Sequence, residues 1–153
     1  MTYSKILVPF DGSKYSKKAL EHAVGLAQNN GIIYLCTIVT AGNVVPPGSL
    51  LGMMRDVSHG TLQKRLLSAA ITDANKMQAQ QMKYCKSKGV RAYQKIIVDG
   101  NIAQEILNVA KKKQVDLVVI GSQGLHGIAK LKTLGSVSRK VSEHARCPVL
   151  IVR

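Results

Sequence analysis

Glycine and serine dominate the stretch GSQGLHGIAKLKTLGSVS, residues 121–138, which follows the apolar run VDLVVI. Its early glycines let the backbone adopt left-handed angles and approach a ligand closely. These glycines are Gly121, Gly124 and Gly127. Gly135 and Ser136 then open a predicted helix, whose unpaired N–H groups and positive dipole end favour an anion. With the hydroxyls of Ser136 and Ser138 as further donors, this pattern predicts a phosphate-binding loop.

The same residues also have a purely structural interpretation. The glycines could simply form turns, and Ser136 could cap the last helix. The residues alone favour neither interpretation. Two familiar phosphate motifs are absent, because the loop lacks the Gly-Lys-Ser/Thr ending of a P-loop and the first strand–helix turn lacks G-x-G-x-x-G. The sequence therefore supports neither a Walker-type NTPase nor a dinucleotide-binding dehydrogenase.

A second turn with chemical potential is PFDGS, residues 9–13, directly after the first apolar run. The carboxylate of Asp11 can accept hydrogen bonds from a ligand. Stabilising the start of the following helix is a competing role for the same side chain. Either role places Asp11 at the end of a strand.

Five short apolar runs alternate with helical patterns, and these elements must position both turns. The runs predict strands, because continuous β-branched and apolar sequence marks strands covered on both faces. They are residues 5–10, 32–39, 90–98, 115–120 and 148–152. We expect an α/β fold with an open five-stranded parallel sheet, helices on both faces and one domain, residues 1–153. Ligands bind such Rossmann-like sheets beyond the carboxyl ends of the strands, where both turns lie.

The helices are predicted from apolar residues at helical spacing. The first ends at NNG, residues 29–31, and a long helix spans 61–88 after a loop or lid at 40–60. The stripe of that long helix is Leu62, Leu66, Ala70, Ala74 and Met77. A third helix begins after Asn101 as N-cap. The last is marked by Leu134, Val137, Val141 and Ala145, with Pro148 helping to stop it.

The chain has a formal net charge of +14, because 22 Lys and Arg residues face 8 Asp and Glu residues. Such a field attracts anions, which include nucleic acid, acidic proteins, membrane surfaces and phosphate-bearing small molecules. The densest run, KKK at 111–113, ends a predicted helix, where cations suit the dipole. Five Tyr and one Phe leave few stacking aromatics for a protein that binds single strands.

Three cysteines lie far apart without paired spacing, at Cys36, Cys85 and Cys147. The sequence therefore predicts neither a zinc site nor a disulfide framework, but reduced thiols in the cytoplasm. No window approaches the roughly 18 apolar residues of a membrane span. We expect a soluble intracellular protein.

Taken together, these segments resemble the universal stress protein family, in its ATP-binding branch. The resemblance rests on KILVPFDGS, DGNIAQEIL and VDLVVIGSQGLHGI followed by LGSVSRKVSEHARCPVLIV, in the family's usual order. It covers nearly the whole chain except residues 40–60 and implies the adenine nucleotide alpha hydrolase-like fold. The family's nucleotide signature is G-x2-G-x9-G-(S/T). Gly121 and Gly124 match its start, and Gly135 and Ser136 match its end, with ten residues rather than nine between Gly124 and Gly135.

The resemblance implies a site for an adenine nucleotide. Asp11 would accept a hydrogen bond from ribose or base, with Pro9 and Phe10 beside the adenosine. Ile38 and Ile120 would pack on the adenine, although plain core packing explains these two residues equally well. The glycine loop would hold the phosphates through N–H groups and two hydroxyls. Its residues are Gly121, Gly124, Gly135, Ser136, Val137 and Ser138.

The resemblance also implies ATP as the ligand, with Mg²⁺, AMP and other adenine nucleotides left open, and a homodimer paired through residues 148–152. Hydrolysis would be slow or absent, since phosphoryl transfer needs carboxylates for a metal and Asp11 is the one acidic residue expected near the site. The predicted function is a stress-response regulatory protein rather than an enzyme. Two alternatives stay open: a nucleotide-free module that binds acidic proteins or nucleic acid through its basic surface, and a weak phosphotransfer or phosphatase enzyme.

Overall fold

The computed structural model describes residues 3–40, 59–125 and 133–153, in which strands and helices alternate. The elements are β1 Tyr3–Pro9, α1 Lys14–Leu26, β2 Ala27–Val39, α2 His59–Ser87, β3 Arg91–Val98, α3 Ile102–Lys113, β4 Leu117–Gly121, α4 Ser136–His144 and β5 Val149–Val152. The strands are parallel, in the order β3-β2-β1-β4-β5. Helices α1 and α2 pack on one face, and α3 and α4 on the other. The predicted open parallel α/β sheet is confirmed.

The central strand β1 is buried on both faces, as its continuous apolar sequence predicts. Ile6 and Val8 pack in the core beneath α1 and α2, whereas Leu7 between them packs in the core beneath α3 and α4. All three are 0% exposed. Full burial of one such side chain stabilises the fold by about 1.5–3 kcal/mol. The buried side chains of this strand therefore fix the position of the turn at its carboxyl end.

The strand order reverses beside β1. The chain passes from β1 through β2 to β3, then returns to place β4 on the other side of β1, with β5 outside it. A reversal of this kind leaves a crevice at the carboxyl ends of the two strands that flank it. The turn PFDGS follows β1 and the turn GSQG follows β4, so both predicted ligand-binding turns meet at this crevice.

The predicted end of the first helix at NNG is wrong. Helix α1 ends at Leu26, and Ala27 is already extended, with φ −66° and ψ 134°. Tyr3 pairs with Ala27 and Lys5 pairs with Ile32, so β2 bulges between these two pairings. Asn30 adopts φ 75° inside the bulge. Pairing with β1 draws the segment into the sheet, and its left-handed residue serves the bulge rather than a helix cap.

The other helix boundaries differ from prediction by a few residues. Helix α2 begins at His59, inside the predicted 40–60 loop, of which residues 41–58 lie outside the described ranges. The last helix excludes both Leu134 and Ala145, and Ala145 is extended with φ −67° and ψ 143°. That helix therefore stops before Pro148 restricts the chain. None of the helices within the described ranges is long and apolar enough to cross a membrane.

The predicted cap of α3 is confirmed, and it gives a stability prediction. Asn101 Oδ1 accepts a hydrogen bond from the Gln104 amide at 3.1 Å, whereas the Gln104 side chain donates to Asn108 and does not complete a capping box. Asn101→Ala should lower the free energy of unfolding by about 1 kcal/mol, because the amide loses its acceptor. Asn101→Asp keeps an acceptor oxygen and should match the parent. Urea denaturation followed by circular dichroism measures both, and equal stability of the two variants would contradict the cap.

Candidate functional site

A cavity of about 810 Å³ opens at the carboxyl ends of β1, β2 and β4. Helix α2 and the first turn of α4 complete its walls. Every residue that the sequence assigned to the site lines this cavity. They are Pro9, Phe10, Asp11, Ile38, Ile120, Gly121, Gly124, Gly135, Ser136, Val137 and Ser138. Two turns that are far apart in the sequence thus contribute to one concave surface.

The first turn of α4 forms the polar end of the cavity. Gly135 is the N-cap, with φ −62° and ψ 157° and no side-chain cap, so Ser136 is the first helical residue. The alternative role of Ser136 as the cap is therefore wrong. The Gly135 amide donates to the Ser122 carbonyl at 2.8 Å. In the described ranges, no acceptor lies within hydrogen-bonding distance of the amides of Ser136, Val137 and Ser138, as expected for a helix start.

The hydroxyl of Ser138 is used inside the protein. Ser138 is 3% exposed, and its Oγ lies 2.9 Å from the Ser122 carbonyl and 3.0 Å from the Gly135 carbonyl. A hydroxyl has one proton, which here points at these carbonyls. The prediction that this hydroxyl donates to a ligand is therefore wrong. Ser136 is exposed, and its hydroxyl has no hydrogen bond to another described residue. Ser138 instead fastens the loop after β4 to the first turn of α4.

Close packing, rather than left-handed backbone, explains the glycines in the loop. A Cβ on Gly121 would lie 2.8 Å from the Tyr15 carbonyl carbon, and one on Gly124 would lie 2.9 Å from Asp11 Oδ2. Neither of these glycines nor Gly135 has a φ in the left-handed region. The predicted left-handed angles are thus wrong at Gly121 and Gly124. Gly127, the third glycine of that prediction, lies outside the described ranges.

Asp11 links the two turns through both of its carboxylate oxygens. Its Oδ1 accepts from the Ser13 amide at 2.9 Å, and its Oδ2 accepts from the Leu125 amide at 3.1 Å. The N-cap of α1 is Ser13, whose Oγ accepts from the Ser16 amide at 3.1 Å. Asp11 therefore stabilises the turn before the helix and holds the glycine loop beside it, which places its carboxylate at the cavity surface.

The other end of the cavity is apolar. Ile38 is half-buried and Ile120 is 5% exposed, and both line it. The Phe10 side chain belongs to the core beneath α1 and is 2% exposed, so its ring is not a free surface for a ligand. Phe10 is held through its main chain, because its amide donates to the Cys36 carbonyl and its carbonyl accepts from Thr37 Oγ1.

Sequence reasoning missed the wall that α2 contributes. Ala70, Asp73, Ala74 and Met77 all line the cavity. Three of them belong to the apolar stripe that the sequence assigned to the core, so helical spacing was a usable signal. Asp73 corrects the expectation that Asp11 is the one acidic residue near the site. The remaining residues that the sequence did not assign are Ser16, Cys36, Thr37, Val39, Ile102, Ile106, Gln123 and Leu125.

Gln78 fastens α2 to the sheet beneath this wall. It is 0% exposed, and its Nε2 lies within hydrogen-bonding distance of Leu35 O, Thr37 Oγ1 and Lys95 O, at 3.2, 2.8 and 3.1 Å. Thr37 Oγ1 in turn donates a hydrogen bond to the Phe10 carbonyl at 2.7 Å. The Gln78 Oε1 is buried and has no hydrogen-bond partner among the described residues. The amide side chain thus joins α2, β2, β3 and the end of β1.

The Cys36 thiol in the cavity is not activated for nucleophilic attack. Burial raises the pKa of the Cys36 thiol to about 11, with Lys95 opposing the shift, so this thiol is protonated at neutral pH. No Lys or Arg in the described ranges lines the cavity. The same ranges contain no group of three His, Cys, Asp or Glu side chains placed to hold a metal ion.

Gly121 gives a stability prediction with a matched control. Gly121→Ala should lower the free energy of unfolding by about 1–3 kcal/mol, because the added methyl group overpacks against the first turn of α1. Gly25→Ala should instead raise it by up to about 1 kcal/mol, since Gly25 is helical and a Cβ there meets nothing within 4 Å. Urea denaturation measures both. A Gly121→Ala protein as stable as the Gly25→Ala protein would contradict the packing argument.

The sequence of this chain is similar to that of known proteins. A family model, Universal stress protein family, matches residues 2–153. The Universal stress protein YxiE of Bacillus subtilis is 39% identical over 151 residues, covering 99% of each chain. Universal stress protein MJ0531 of Methanocaldococcus jannaschii is 31% identical over 151 residues, covering 99% of this chain and 82% of that one.

Solved structures share the fold at lower identity. Universal stress protein UspA from Lactobacillus plantarum has a TM-score of 0.82 at 23% identity, covering 100% of this chain and 99% of that one. A universal stress protein in complex with cAMP has a TM-score of 0.67 at 22% identity, covering 100% and 98%. The universal stress protein from Archaeoglobus fulgidus in complex with dAMP has a TM-score of 0.63 at 21% identity, covering 100% of both chains.

Proposed function

Because the chain belongs to the universal stress protein family, we propose that its cavity binds an adenine nucleotide, ATP above others, in a stress-response regulatory role. The observation that carries the proposal is the start of α4. There Ser136, Val137 and Ser138 line the cavity, and their amides have no protein acceptor in the described ranges. Amides of this kind, with the positive end of the helix dipole, favour phosphate.

The two ends of the cavity match the two parts of such a ligand. Ile38 and Ile120, opposite Ala74 and Met77, offer the apolar surface that an adenine ring needs. The phosphates lie at the start of α4, beside Gly121, Gly124 and Gly135. Solved relatives that contain cAMP and dAMP support this ligand class, since each ligand combines adenine with phosphate.

Asp11 takes the position between the two ends. Each of its carboxylate oxygens accepts one protein amide and keeps a second lone pair. A ribose hydroxyl can donate to that lone pair without displacing the Ser13 or Leu125 amide. The Asp11 carboxylate therefore recognises the sugar while it continues to hold the loop.

The bound nucleotide acts as a structural or signalling ligand with little or slow hydrolysis. Cys36 carries a protonated thiol, and the two carboxylates of the described wall lie on different elements, Asp11 in the turn after β1 and Asp73 on α2. Any Mg²⁺ enters with the nucleotide phosphates. The extra residue of the glycine loop falls between Gly124 and Gly135, and both of these ends line the cavity.

The binding test removes one amide and leaves the helix intact. Proline fits the first position of a helix, and Gly135 before it already has an extended backbone that tolerates a following proline. Ser136→Pro should weaken ATP binding about 10- to 100-fold, the loss expected for one hydrogen bond to a charged group. Adenosine, which has no phosphate, should bind both proteins equally. Isothermal titration calorimetry measures each affinity.

The control is Ser136→Ala, which removes the hydroxyl and keeps the amide. It should lose less ATP affinity than Ser136→Pro. If the parent binds neither ATP nor AMP, and no adenine nucleotide is released from the purified protein, the nucleotide-free alternative replaces this proposal. If the proline and alanine variants bind ATP equally, the amide is not the phosphate ligand.

We also propose a homodimer paired through β5. This strand is an edge of the sheet, its sequence VLIV is apolar, and Leu150 is 36% exposed. An apolar open edge invites pairing with a second copy. Leu150→Lys should therefore convert the dimer to a monomer, whereas Leu62→Lys, at a 39% exposed leucine of α2, should not. Light scattering after gel filtration measures the mass, and a monomeric parent would overturn the proposal.

A further inference from the structure

A stacked pair of tyrosines joins the edge strand β3 to its neighbour β2. Tyr34 and Tyr93 are register partners on β2 and β3, with ring centroids 6.0 Å apart and ring planes at 25°. Tyr93 is 53% exposed. An aromatic side chain of this size is usually well buried in a core or an interface. This pair leaves much of one tyrosine open to a flat ligand at the rim of the sheet.

Cations lie beside β3 on both faces of the sheet. Lys113 is on the face of α3, where Tyr34 packs, whereas Lys83 and Lys86 are on α2, on the opposite face. Lys113, at the end of α3, places its Nζ 5.4 Å from the centroid of the Tyr34 ring. A separate cavity of about 540 Å³ lies between α2 and the start of β3, and Tyr93 lines it together with three cations. These cations are Lys83, Lys86 and Arg91. Arg91 donates to the Asn30 carbonyl at 2.8 Å, and in the described ranges no carboxylate pairs with any of the four cations.

We propose that this surface binds single-stranded nucleic acid. We call it the tyrosine edge and define it as Tyr34, Tyr93, Lys83, Lys86, Arg91 and Lys113. Bases stack on the exposed Tyr93 ring on the α3 face of the sheet. The backbone runs along the β3 edge, where its phosphates contact Lys113 on that face and Lys83 and Lys86 on the α2 face. Stacking on aromatic rings and neutralisation of the backbone are the two terms that hold single strands on proteins.

The exposed ring together with the cations favours a single strand over an acidic peptide or a nucleic-acid duplex. An acidic peptide would use the cations but gains little from an exposed ring face. A duplex keeps its bases stacked on one another and presents no free face to a tyrosine. Single strands use both features at once. Since the rings stack on any base, the tyrosine edge distinguishes strandedness rather than sequence.

The tyrosine edge is independent of the nucleotide proposal. Arg91 and Tyr93 lie at the start of β3, whereas the nucleotide cavity lies at the carboxyl ends of the strands. The described residues that line the two cavities have no member in common. Loss of one activity therefore does not predict loss of the other, and a bound nucleotide leaves the tyrosine edge open.

The central experiment measures binding of fluorescent oligo(dT) and oligo(U) of about twelve nucleotides, a length within the usual site sizes, by fluorescence anisotropy on the full chain. The two oligonucleotides distinguish DNA from RNA as the source of the strand. Tyr93→Ala should weaken binding about 5- to 100-fold, the effect of losing one base–aromatic stack. Tyr93→Phe, which keeps the ring, should retain most of the affinity. Tyr93→Leu repeats the test with an apolar side chain in case the alanine variant fails to fold.

A second experiment tests whether Lys83 and Lys86 contribute more to binding than the net positive charge of the protein does. The double variant Lys83→Gln, Lys86→Gln should reduce the slope of log affinity against log salt by about 1.4, because two phosphate contacts are lost at about 0.7 each. The matched double variant Lys17→Gln, Lys140→Gln makes the same charge change on exposed positions of α1 and α4. It should leave the slope close to that of the parent.

Three results would overturn the proposal. The first is that folded Tyr93→Ala and Tyr93→Leu proteins bind both oligonucleotides as the parent does. The second is that the two double lysine variants show equal salt slopes. The third is that poly-glutamate or a duplex of equal length competes as well as the unlabelled single strand, which would assign the surface to acidic protein or to duplex instead.

Discussion

The carbonyl oxygen of Ser122 is the contact on which the site depends. It accepts hydrogen bonds from the Gly135 amide at 2.8 Å and the Ser138 hydroxyl at 2.9 Å, while the Ser122 amide donates to Val152 at 2.7 Å. One residue thus joins β4, β5 and the first turn of α4. Because its carbonyl takes the amide just before the helix, the next amides are left for the cavity. The position of these amides is therefore set by hydrogen bonds within the protein, before any ligand binds.

Under the proposed function, the shape of the cavity contributes to ligand selectivity. The described wall contains two carboxylates and no Lys or Arg. The amides at the start of α4 and the apolar slot beside Ile38 and Ile120 would require a ligand that has both a phosphate and a flat apolar part. Inorganic phosphate meets one of these requirements, and adenosine meets the other. A nucleotide satisfies both.

Much of the fold follows from local sequence. Strand β1 and the predicted parallel sheet follow from continuous apolar runs, since only a strand covered on both faces hides such a run. The two turns that meet at the cavity were predicted because glycines and a carboxylate follow strand ends, and the family resemblance supplied the individual site residues. Ser138 was assigned to the cavity, but its hydroxyl was misassigned, because its carbonyl acceptors come from the chain's own tertiary packing.

The remaining errors come from contacts between distant segments. NNG resembles a helix stop, but pairing of Tyr3 with Ala27 places that segment in the sheet. Gly121 was interpreted as conformational freedom, whereas Tyr15 of α1 occupies the space of its missing Cβ. The apolar residues of α2 that line the cavity recur at helical spacing. That spacing alone does not show whether the apolar face of a helix packs on the core or lines a cavity. The stacking of Tyr34 on Tyr93 likewise depends on strand register, which composition does not contain.

Gln78 attaches α2 to the sheet beside the cavity. Its side chain is hydrogen-bonded to β2 and β3, directly after Met77 and one turn after Ala74, which both line the cavity. Further along the helix, Cys85 is 0% exposed in the core beneath α1 and α2. To move the cavity wall at Met77, a ligand would have to break or carry with it the hydrogen bonds of a fully buried amide.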